Sequence, residues 1–119
     1  LRARVASTDD PELQVRRWIE GMLAQACNPE AAEATRPFAI NGARLADRYP
    51  DDLAATHAEL RDTLVPSIEA LGGAAPDGSF VCELALSRMN DAIIQRRSPQ
   101  PEEVERLVAF CLAGVRHGT

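Results

Sequence analysis

The chain has 119 residues, of which 45% are hydrophobic and 26% charged, and its 13 basic and 18 acidic side chains leave a formal net charge of −5. An isoelectric point near 5.0 argues against direct nucleic-acid binding, and no apolar run approaches the roughly 18 residues of a membrane span or follows a basic stretch as in a signal peptide. Scaling for 12.9 kDa gives roughly 6,300 Å² folded against roughly 18,700 Å² unfolded, enough burial for one cytoplasmic domain without metal or disulfide staples.

All the basic residues are arginine, and Ala and Leu dominate the apolar set while aromatics contribute 4%. That composition favours helices over a strand-rich sandwich. Asp10-Pro11-Glu12 has the form of an N-cap, a proline at the first helical position and an acid in the first turn. The helix it opens carries Val15, Trp18, Ile19, Met22, Leu23 and Ala26 on one stripe and stops at Asn28-Pro29. Asn28-Pro29-Glu30 repeats the grammar and predicts a short helix through about Thr35, interrupted at Pro37. A restarted segment puts Phe38, Gly42, Leu45, Ala46 and Tyr49 on one side and closes at Pro50.

Asp51 or Asp52 is expected to cap a long helix with Leu53, His57, Leu60, Leu64, Ile68 and Leu71 inward, kinked near Pro66 and ended by Gly72-Gly73. Ala74 to Ser79 reads as a loop. From Phe80 to about Arg96 the next helix is apolar on more than one side, through Phe80, Val81, Leu84, Ala85, Leu86, Met89, Ala92, Ile93 and Ile94. Ser98 to Glu103 connects it to a last helix with Val104, Leu107, Val108, Cys111, Leu112 and Val115 inward and Gly118 as its stop. Two closing helices with such broad apolar faces have enough surface for the core and for a second copy of the chain; a fully buried central helix in a monomer is the alternative. The expectation is therefore an all-α bundle of about five to six antiparallel helices in a single domain.

No phosphate loop, zinc-type cysteine pair, His-Glu helical pair or nucleophile elbow is present, so the sequence supplies no sign of an enzyme, cofactor or metal site. Cys27, Cys82 and Cys111 are odd in number, far apart and set in apolar stretches, the pattern of buried thiols in a reducing compartment. His57 reads as a core or pocket-edge histidine, and His117 as a partner of the last helix's dipole. Glu83 with Asp91, and Glu30 with Glu33, read as solvated helix faces. Trp18, Met22, Phe38, Asn41, His57, Arg61 and Met89 with Asn90 mix apolar walls and a few polar groups as small-molecule cavities do, although each aromatic and methionine position taken singly is better explained as core, and only the ensemble suggests a pocket.

Arg17 to Leu23, Thr35-Arg36-Pro37-Phe38-Ala39-Ile40-Asn41 continuing to Leu45, Tyr49-Pro50, and Pro101 to Gly114 resemble the C-terminal domain of TetR-family transcriptional regulators. The resemblance covers nearly the whole chain and rests on helix order, the Arg-Pro-Phe break and the closing helix. It implies an effector-binding and dimerisation domain whose last two helices pair with a second subunit in a four-helix bundle. It implies a homodimer, with Trp18, Met22, Phe38, Asn41, His57, Arg61 and Met89 near a small-molecule effector, and Phe80, Leu84, Ile93, Leu107, Cys111 and Val115 near the dimer seam or core. Residues Leu1 to Val5 would end a connecting helix from an N-terminal helix-turn-helix domain that this sequence does not contain, so operator DNA would be reached only through that domain. Repressor is the family default. A freestanding helical interaction module is the competing reading, and a small helical enzyme a third.

Overall fold

The computed structural model describes the backbone of residues 2–117 and the side chains of 3–116. Among these residues the chain is all helix: α1 Arg2–Ala6, α2 Pro11–Cys27, α3 Pro29–Ile40, α4 Gly42–Arg48, α5 Pro50–Ala70, α6 Ala75–Ile94 and α7 Pro101–His117. None of these helices is long and apolar enough to cross a membrane. The stop expected at Gly118 and the side chain of His117 lie outside the described residues.

Local chemistry sets the boundaries. Asp10 accepts a hydrogen bond from the Glu12 amide at 3.1 Å, capping α2. Asn28 closes α2 by donating its own N–H to the Ala24 carbonyl, and opens α3 by accepting from the Glu30 and Ala31 amides. Pro37 does not end α3 as expected. The helix runs through it to Ile40, and the break falls at Asn41, which returns both its backbone and side-chain N–H groups to the Pro37 carbonyl. Likewise α5 starts at Pro50, ahead of the expected Asp51 or Asp52 cap, and continues through Pro66. It stops where expected: Gly72 takes φ 94°, and the Gly72 and Gly73 amides bond back to Glu69 and Ile68, a glycine-dependent closure. The expected loop from Ala74 to Ser79 is instead the first turn of α6. Pro76 is tolerated there, and the Asp77 carboxylate accepts from the Ala74 N–H at 2.8 Å.

Helix α2 is the axis of the domain, packed against α1, α3, α5, α6 and α7. Its stripe Val15, Trp18, Ile19, Met22, Leu23 and Ala26 is buried as the spacing predicts, and it meets Leu64 and Ile68 of α5, Val81, Ala85, Met89, Ala92 and Ile93 of α6, and Leu107, Val108, Cys111, Leu112 and Val115 of α7. Among the described residues, buried side-chain polar groups are paired apart from the Arg36 Nε. The Trp18 indole donates to the Leu60 carbonyl at 3.2 Å, and the Ser67 hydroxyl bonds Gln14 at 2.7 Å. Val65 faces Gly78 while Arg61 shares a cleft with Cys82, so α5 and α6 run antiparallel. The Arg16–Glu105 and Glu12–Arg116 ion pairs give α2 and α7 the same relation. At Gly78 the two helices approach tightly, since a β-carbon there would lie 2.8 Å from a Val65 methyl.

The turn between α6 and α7 is clamped by charge. Glu103 near the start of α7 accepts from Arg97 at 2.9 Å and from Arg88 on α6, and Arg97 also reaches Asp91 at 3.4 Å. The Arg97 and Arg88 hydrogen bonds hold the Glu103 carboxyl down at about 2. Its folded-state value lies below the unfolded one, so this stabilisation is complete above the ordinary glutamate range and is lost as pH falls towards 2. Glu103→Gln is expected to cost about 1–2 kcal/mol at neutral pH after allowance for solvent screening. In urea titrations the gap between variant and parent should close on acidification; a gap that persists at low pH would assign the loss to packing.

The chain exposes 7164 Å², more than the roughly 6,300 Å² expected for its mass. Part of the surplus is aromatic: Phe38, Phe80 and Phe110 are 63%, 65% and 68% exposed.

Candidate functional site

Several hollows border α6, including one beside α3 at Ala32 and Ala92. Two neighbouring pockets share Leu86, one between α5 and α6 and the other bounded also by α1 and α2, and together they form one cleft of two chambers. One, of about 230 Å³, is lined by His57 and Arg61 from α5 and by Cys82, Glu83, Leu86 and Asn90 from α6. The other, of about 340 Å³, is lined by Met22, Leu60, Leu86 and Met89, with Gly21 and Ala24 in its wall and Arg4 and Gln25 also contributing. Leu86 belongs to both. The first chamber is the more polar of the two and the second mainly apolar, and the Leu60 wall is the residue whose carbonyl receives the Trp18 indole. Burial pushes the Cys82 thiol up, opposed by the Arg61 charge and reinforced by Glu83, so this sulfur stays protonated and is not an activated nucleophile.

A further hollow is a groove of about 220 Å³ between α6 and α7. Phe80, Leu84, Phe110 and Gly114 border it with Asp77 at one end, over Val81, Cys111 and Val115. Burial raises the Cys111 thiol to about 11, and a β-carbon at Gly114 would meet nothing within 4 Å. Groove and cleft are thus both apolar-walled, but only the cleft carries polar side chains from several positions.

The residues singled out in the sequence divide accordingly. His57 and Arg61 share one chamber and Met22 and Met89 the other. Trp18 lies behind them, fully buried. His57 is exposed at the cleft edge, not inward as its stripe suggested. Phe38 and Asn41 are exposed on and beyond α3 and line neither chamber. Of the residues expected near the dimer seam or core, Phe80 and Leu84 border the groove, Cys111 and Val115 form its floor, and Ile93 and Leu107 are core. Cys27 is exposed, its thiol 3.7 Å from the Pro99 carbonyl, whereas Cys82 and Cys111 are buried as expected.

Sequence reading did not single out Phe110, Leu60, Leu86 or Cys82 as site residues. Phe110 had a signal: a large aromatic lying outside the Leu107, Val108, Cys111, Leu112 stripe has no core to enter. Leu86 was part of the broad face of α6, but periodicity does not say which neighbour covers each side of a wide stripe.

Compared with protein-family models, curated proteins and solved structures, the chain matches none. Among the described residues no group of three or more His, Cys, Asp and Glu side chains is placed to hold a metal ion.

Proposed function

We propose that this chain is the effector-binding and dimerising domain of a TetR-like transcriptional regulator, acting as a homodimer in which a small molecule in the α5/α6 cleft biases operator binding by a separate DNA-reading domain. The observation that carries the reading is the division of labour around α6. One side forms a two-chambered cleft with polar and apolar walls, and the other, with α7, presents Phe80, Leu84 and Phe110 to solvent along a groove. Isolated exposed apolar residues need no explanation, but two phenylalanines flanking one groove on the last two helices form a patch of the kind that protein contacts bury. Two such helices from each subunit make a four-helix contact related by a two-fold axis. The resemblance in sequence supports the same helices for that role.

An effector works in such a domain only through unequal affinity for two arrangements of the dimer. A cleft bordering the interface helix suits that requirement, because α6 is common to both surfaces. Sedimentation equilibrium at micromolar concentration tests the reading, with a dimer as the expected result. A monomer would remove the regulator reading and favour a freestanding helical interaction module.

A further inference from the structure

Arg61 stands apart from every other half-buried arginine among the described residues. Arg16, Arg17, Arg36, Arg88 and Arg97 each donate to a carboxylate, hydroxyl or carbonyl, whereas Arg61 makes no hydrogen bond or ion pair. Glu83 lines the same chamber but is exposed and lies beyond ion-pair distance of it. The more deeply placed charge in the chamber is therefore positive and unmatched. Half-buried guanidinium groups gain most from a planar, bidentate anion, and carboxylate fits their fork geometry. His57 and Asn90 line the chamber as well and supply further polar contact with a head group held there.

Past Leu86 the chemistry reverses. Met22, Leu60 and Met89 make an adaptable apolar wall, with small residues Gly21 and Ala24 leaving room between them and the exposed Arg4 and Gln25 also lining it. Neither chamber alone exceeds about 340 Å³, near the bottom of the roughly 300–1,000 Å³ range of small-molecule sites, but together they fall well within it. We propose that the cleft takes an amphiphile with one carboxylate head and an unbranched apolar tail, its head at Arg61 and its tail extending past Leu86 among Met22, Met89 and Leu60. This assignment rests on the reading of the cleft as an effector site and names the chemical class of that effector.

The test uses three probes of equal chain length: octanoate, 1-octanol and octyltrimethylammonium. Trp18, the single tryptophan of the chain, lies behind the apolar chamber and reports occupancy by fluorescence, with calorimetry as a second readout. Octanoate is expected to bind at least about tenfold more tightly than octanol, as a charge-assisted contact adds to the same tail, with the cation weakest. Arg61→Gln should bring octanoate down to the affinity of octanol and leave octanol unchanged, and Arg61→Lys should recover part of the difference. Arg44→Gln, an equal change of net charge on exposed α4, should leave all three as they are. Met89→Phe, which crowds the tail chamber and leaves Trp18 the single tryptophan, should weaken octanoate and octanol alike.

Equal binding of octanoate and octanol, or indifference of octanoate to Arg61→Gln, would overturn the carboxylate head. Failure of every probe to bind at millimolar concentration would overturn the amphiphile altogether. Sedimentation of the same samples separates these failures from that of the regulator reading: a dimer that ignores Arg61 loses only the head assignment. A monomer with Arg61-dependent binding keeps the ligand and loses the regulator.

Discussion

For the dimer proposed above, the Phe80→Asp, Phe110→Asp double variant is expected to stay monomeric at concentrations where the parent associates, while keeping its helix content. Both rings are about two thirds exposed in the single chain, so the domain's own core has little to lose. In an interface each ring would bury that exposed part, worth roughly 1–2 kcal/mol. A two-fold contact loses every substituted ring twice. Four rings amount to about 4–8 kcal/mol, which raises the dimer dissociation constant by about a thousandfold or more before the repulsion of four new carboxylates is counted. Analytical ultracentrifugation of parent and variant, with circular dichroism as the folding control, reads this directly. Persistence of the dimer would move the interface elsewhere, and the exposed Phe38, Ile40 and Tyr49 on the α3–α4 side would be the next surface to alter.

Trp18→Ala should have the largest effect on folding. Trp18 has no exposed surface and lies on the helix that most of the others pack against. Truncating a buried tryptophan typically costs about 3–5 kcal/mol, because the neighbours close only part of the cavity. Against a total of about 5–15 kcal/mol for a domain of ordinary stability, that removes a large fraction of the folding free energy. The contrast with Trp18→Phe apportions the loss. Phenylalanine keeps most of the apolar volume and gives up the indole bond to the Leu60 carbonyl, for an expected cost of about 1–2 kcal/mol. Urea unfolding followed by far-UV circular dichroism measures both. Equal losses in the two variants would mean that the hydrogen bond, not the volume, holds α2 to α5.

Where local grammar and burial coincide, the sequence is a sufficient guide. Asp10-Pro11 and Asn28-Pro29 bracket α2 at the residues where it begins and ends, and its periodic stripe is the buried one. The same holds for the glycine closure of α5 and for the inward face of α7. The departures share a physical cause. Pro37, near the end of α3, gives up one donor without ending the helix, because the chain needs only another turn before Asn41 bonds back to the Pro37 carbonyl. Ala74 to Ser79 is rich in turn-forming residues, yet proline and aspartate are also what a first helical turn accepts, and Asp77 uses its carboxylate there. Spacing makes His57 inward and Phe110 unplaced, since it reports a face without saying whether another helix arrives to cover it. The cleft was partly legible, because His57, Arg61, Met22 and Met89 do line it. Phe38 and Asn41 were not separable from that group, as their distance from α6 depends on where α3 ends and α4 turns away.

The contact between Gly78 and Val65 also has a mechanical meaning. With a Val65 methyl only 2.8 Å from where a β-carbon would sit, α5 and α6 are in tight contact at that end, and a rotation of α5 about that point would leave the contact in place. His57 lies eight residues along α5 from Val65, a lever arm of about 12 Å at the rise of an α-helix. Anything that wedges between Arg61 and Asn90 therefore acts partway along that arm, and the movement grows towards Pro50 and the short α4 that precedes it. The glycine would be the fulcrum of such a rotation, and the far end of α5 is where a small change in the cleft would become a large one.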